Sequence, residues 1–243
     1  MKSHDMELHA NHVREVTNEG DNLVWPWLYA GVFVVLIAVT AGFSWLWQAE
    51  AERWIAEDGP VEMLSAAGYL ACGALVWLWA GKKVVHQWDV QIILLAMALR
   101  ELDFHSRFTV MNVTKLRFFT SASVPWVEKT IGLAVVAVLA AALVSFGRKH
   151  ADSAWRGLRT CSAVVYGVGL GVFTAMGSKL IDGLPRKLQA VGVDTPEWLR
   201  RVSCNAEEIF ELGIPLLFIL AVLFLIRAER RADVEALEGR RTG

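Results

Sequence analysis

Ala98-Leu99-Arg100-Glu101-Leu102-Asp103-Phe104-His105 is the stretch whose reading decides the fold. It closes an apolar run from Val90 to Leu99 that is too short to cross a bilayer, because a spanning helix needs roughly 20 residues. A third membrane span, from about Trp88 to His105, therefore has to take in Arg100, Glu101, Asp103 and His105. Ionisable groups inside a span cost about 2.5–3.5 kcal/mol each at its centre, and they usually mark function.

The rest of the chain supports a membrane reading. It has 243 residues, 55% of them hydrophobic, and the apolar residues come in long blocks. The expected fold is all-α: a polytopic bundle of six transmembrane helices with an interfacial segment between spans three and four. Residues 1–23 are polar and mixed in charge and read as a flexible cytoplasmic tail. Residues 24–227 form the bundle, and 228–243 a charged cytoplasmic tail that continues as a frayed helix. The formal net charge is −1, which gives no reason to expect a nucleic-acid partner. Cys72, Cys161 and Cys204 have no CxxC spacing and imply no disulfide framework.

Span one runs from about Trp25 to Gln48, with Trp25 and Trp27 at one end and Trp45 and Trp47 at the other, as an aromatic belt would place them. Span two, Val61 to Gly81, follows Gly59-Pro60 and opens with Glu62. Residues 106–124 alternate Phe and Val with Arg107, Lys115 and Arg117 and suit a segment lying in the interface. Span four, Pro125 to Phe146, is almost pure Ala, Val and Leu, and Arg148, Lys149 and His150 close it. Span five, Thr160 to Asp182, carries Gly167 and Gly171 in GxxxG spacing, read as a packing face. Thr195-Pro196-Glu197 reads as a helix start before span six, Ala206 to Ile226.

Six spans put both termini on one side. That side holds 13 Lys and Arg against 9 on the other, which places the termini in the cytoplasm and the chain in an inner membrane. The ends marked by Glu62, Glu101–His105, Ser178–Asp182 and Glu207–Glu211 then all face the extracytoplasmic boundary.

Glu101 and His105 are four residues apart, as are Ser178 and Asp182, and Glu207 and Glu211; Glu208 and Glu211 are three apart. Such pairs share a helix face. Asp103 falls about 200° round from Glu101 and is the expected bystander. Carboxylates with an imidazole are what a divalent metal ion accepts and what acid–base chemistry requires. Glu101, His105, Asp182, Glu208 and Glu211 are the expected metal ligands, with Glu101, His105 and Asp182 also catalytic. Arg107, Lys115 and Arg117 lie on the same side and would meet a lipid headgroup, and Lys179, Arg186 and Lys187 flank the acids on that side as part of the same basic rim. These residues point to a metal-assisted hydrolase or transferase acting on a lipid. Membrane lipids are the expected partners, with further copies of the chain as the other candidate.

Two readings from other classes compete. The same acids would serve an ion- or proton-coupled carrier, although no apolar run looks interrupted near its middle and the cytoplasmic half shows no matching acids. A non-catalytic assembly subunit would use the glycine face of span five for packing.

Paired polar residues at i, i+4 on several spans resemble the membrane hydrolases that include alkaline ceramidases and adiponectin receptors. That resemblance implies a seven-span bundle binding zinc through an SxxxH pair, an Asp and an HxxxH pair. Here Ser178–Asp182 stands as SxxxD and Glu207–Glu211 as ExxxE. The span number and two of the three histidines differ, so no residue is carried over. The stretch Glu57-Asp58-Gly59-Pro60-Val61-Glu62 is similar to an acidic turn in small bacterial membrane proteins.

Overall fold

The computed structural model describes residues 24–56, 59–104 and 116–242, and among these it is helical with no strand. The chain divides into two compact units: residues 1–48 with 152–243, and residues 49–151.

In the first unit, α1 (Trp25–Ala41) continues into a π-helical turn, Gly42–Leu46. The last turns of α6 (Trp126–Arg159) lead to α7 (Ala163–Ile181), the short α8 (Leu184–Ala190) and the long α9 (Glu197–Thr242). Helix α9 packs along α7 and α1. The glycines of α7 explain the closeness of that packing. A Cβ at Gly167 would collide with Tyr29 and Ala221, and one at Gly171 with the Phe218 ring. The GxxxG face is therefore consumed within the chain, while Gly169 and Gly177 face open space. Tyr29, Leu217 and Phe224 form the buried apolar centre, and the Tyr29 hydroxyl donates to the Ala163 carbonyl at 2.9 Å.

In the second unit, Pro60 opens α3 (Pro60–Ala80) after an extended Gly59. A tight 3₁₀ stretch, Gly81–Gln87, turns the chain into α4 (Trp88–Glu101). Gln91 Nε2 donates to the Gly73 carbonyl at 3.1 Å, tying α4 to α3 where Gly73 leaves room. Helix α2 (Gln48–Trp54) precedes α3, the short α5 (Leu116–Thr120) follows α4, and α6 contributes its first 26 residues, 126–151.

Five helices among the described residues are long and apolar enough to cross a membrane: Trp25–Leu46, Pro60–Ala80, Trp126–Arg159, Ala163–Ile181 and Glu197–Glu238. The expected third span is not among them. Helix α4 has 14 residues and reaches about 21 Å at 1.5 Å per residue, short of a hydrocarbon core of about 30 Å. The stretch 147–159, expected as a loop, is helical and extends α6. Most of the expected interfacial segment, 106–115, lies outside the described residues; its remainder is α5 and a short turn, with Phe118 fully buried.

Candidate functional site

The described acids do not stand as a row of equivalent ligands. In the first unit the i, i+4 spacing of Glu207 and Glu211 does bring both to one face of α9, against α7. The Lys179 ammonium lies 3.0 Å from Glu207 Oε1 and 3.0 Å from Glu211 Oε1. The Glu211 side chain is 9% exposed, Glu207 18% and Lys179 50%, so the group is reached from the lysine side. Sequence reading placed Lys179 on a basic rim; the fold puts it between the acids. Nothing local marks this, because α7 and α9 meet only in the folded chain.

Pro215 sits inside α9 four residues beyond Glu211 and is fully buried. It has no N–H, so the helical donor for the Glu211 carbonyl is missing. The helix nevertheless continues unbroken through Pro215.

Ser178 and Asp182 stand at the end of α7, where the Asp182 N–H donates to the Ser178 carbonyl at 2.8 Å. The Ser178 hydroxyl donates to the Ala175 carbonyl of its own helix at 3.1 Å. Helix α7 ends at Ile181, and Asp182 lies 4.0 Å from Arg186 Nη2 with 45% of its side chain exposed. Glu208 is half-buried on α9.

In the second unit, Glu101 is buried, and Arg100 holds its Oε1 at 2.7 Å. Helix α4 closes at Glu101, and Asp103 follows with a positive φ of 49°. A residue with that backbone does not continue a right-handed helix, so α4 stops here. His105, Arg107 and Lys115 lie outside the described residues; Arg117 is exposed on α5.

Sequence reading missed a second charged group in this unit. Asp89, in the first turn of α4, is fully buried. Its Oδ2 accepts from Ser145 Oγ at 2.9 Å and lies 3.0 Å from Lys149 Nζ; its Oδ1 accepts from the Val90 N–H at 3.1 Å. Lys149 also donates to the His86 carbonyl at 2.6 Å and lies 5.7 Å over the Trp88 ring. The available signal was the i, i+4 spacing of Ser145 and Lys149 on α6.

Among the described residues no group of three or more His, Cys, Asp or Glu is placed to hold a metal ion. Of the expected ligands, Glu101, Asp182 and Glu211 each have a basic side chain at 2.7–4.0 Å. A metal ion would first have to displace these cations. Comparison with known proteins gave no match to a family model, a curated protein or a solved structure.

Proposed function

We propose that this chain is an ion- or proton-coupled carrier of the inner membrane, with Lys179, Glu207 and Glu211 as its coupling group. The observation that carries the reading is the one ammonium held 3.0 Å from each of two carboxylates on the neighbouring helix. When either carboxylate takes a proton, the ammonium is left to the other, so proton uptake exchanges one ion pair for its neighbour. Ionisable groups within spans are costly and commonly line proton or ion paths. Two further features support it. Pro215, one turn beyond Glu211 inside α9, leaves the Glu211 carbonyl without its helical donor beside the group. Asp89 supplies a further buried acid, 3.0 Å from Lys149 of α6.

The test is flux. The full chain, reconstituted in liposomes with a trapped pH dye, is expected to pass protons down an imposed gradient. Glu211→Gln and Lys179→Met are expected to lose that flux while remaining helical. Equal flux in wild type and both variants, or none in wild type, refutes the carrier. Stoichiometric divalent metal that disappears in Glu211→Gln would instead favour the metal-assisted enzyme acting on a lipid.

A further inference from the structure

Nine residues beyond Phe146, where its apolar run ends, α6 changes character. Gly157 is buried against Val165 and Ser162, which fixes the inner face of its last turns. At 100° per residue, Trp155 and Arg159 fall on the opposite face, with Leu158 and Arg156 flanking them. Trp155 is 59% exposed and Leu158 47%. The Arg159 guanidinium lies 4.7 Å over the Trp155 ring. Among the described residues neither Arg156 nor Arg159 forms an ion pair, and Asp152, one turn earlier, engages neither.

An indole, a leucine and two guanidinium groups on one outward face, at the end of a membrane-length helix, have complementary needs. The apolar groups need the acyl boundary, and the indole N–H and the guanidinium groups need polar acceptors. Helix-dipole compensation accounts for arginines in a last turn. It does not account for the exposed tryptophan stacked beneath one of them.

We infer that Trp155, Arg156, Leu158 and Arg159 form a binding surface for the phosphate headgroup of an anionic membrane lipid. The arginines hold the phosphate through charge-assisted hydrogen bonds, and Trp155 and Leu158 pack against the headgroup and its glycerol. The surface is independent of the carrier reading and stands if the coupling group does not.

The full chain in phosphatidylcholine bilayers, probed with spin-labelled phosphatidylglycerol and spin-labelled phosphatidylcholine, tests it. The wild-type chain is expected to retain phosphatidylglycerol preferentially, and each arginine removed should cut the preference by about fivefold. Arg156→Lys with Arg159→Lys should keep most of it; Arg156→Gln with Arg159→Gln should abolish it. Inorganic phosphate should compete no better than chloride at equal ionic strength. No preference in wild type, an unchanged preference in the double Gln variant, or selective competition by phosphate overturns the inference.

Discussion

The two units each centre a charged group on a lysine, but they share it in opposite ways. In the unit formed by residues 49–151, one carboxylate collects the donors: Asp89 takes Ser145, Lys149 and the Val90 N–H. In the other unit, one ammonium serves two carboxylates, as Lys179 does Glu207 and Glu211. An anion surrounded by donors has a single low-energy state and stays charged. A cation between two acids can pair with either, and a proton on one leaves it to the other. The first arrangement suits a latch, the second a coupling device.

Substitutions should break this contrast unequally. The largest effect is expected at Lys149→Met, which strips the cation from a fully buried carboxylate. Loss of one partner of a fully buried pair costs about 3–5 kcal/mol, and the 38% exposure of Lys149 lowers that figure through solvent screening. Thermal unfolding in detergent should show it, and adding Asp89→Asn should return much of the loss. Next come Gly167→Ala and Gly171→Ala, whose new methyl groups meet Tyr29, Ala221 and Phe218. Overpacking costs about 1–3 kcal/mol, whereas Gly177→Ala, facing open space, should be neutral or slightly stabilising. Ser145→Ala removes one donor from Asp89 and should cost about 1 kcal/mol in the same assay. A smaller change than at Lys149 is expected at Lys179→Met, because the Lys179 side chain is half exposed and Glu207 is partly so, although Glu211 is buried. If Lys179→Met proved as destabilising as Lys149→Met, the two groups would be the same kind of device.

Much of the helical architecture was legible, because uninterrupted apolar blocks of membrane length leave the backbone few alternatives. The exception is the stretch at Leu99–His105. Its apolar run is short, and the helix ends at Glu101, where Asp103 turns the backbone left-handed. The site was legible only within single helices. The Glu207–Glu211 spacing correctly placed both acids on one face, because 3.6 residues per turn dictates it. Lys179 was misjudged because its position depends on how α7 and α9 slide together, which Gly167 and Gly171 set. Asp89 escaped notice because a lone acid beside Trp88 reads as the ordinary polar end of a helix. Only the fold shows Ser145 and Lys149 closing over it.

The central claim is that the Glu207–Glu211 pair takes up a proton while Lys179 stays between the helices. Infrared difference spectra of the reconstituted protein, recorded as pH falls, test it most directly. A protonated-carboxyl band should appear in wild type and be lost in the variant carrying both Glu207→Gln and Glu211→Gln. It should persist undiminished in Asp89→Asn. A band absent from wild type, or unchanged when both glutamates are replaced, would contradict the account.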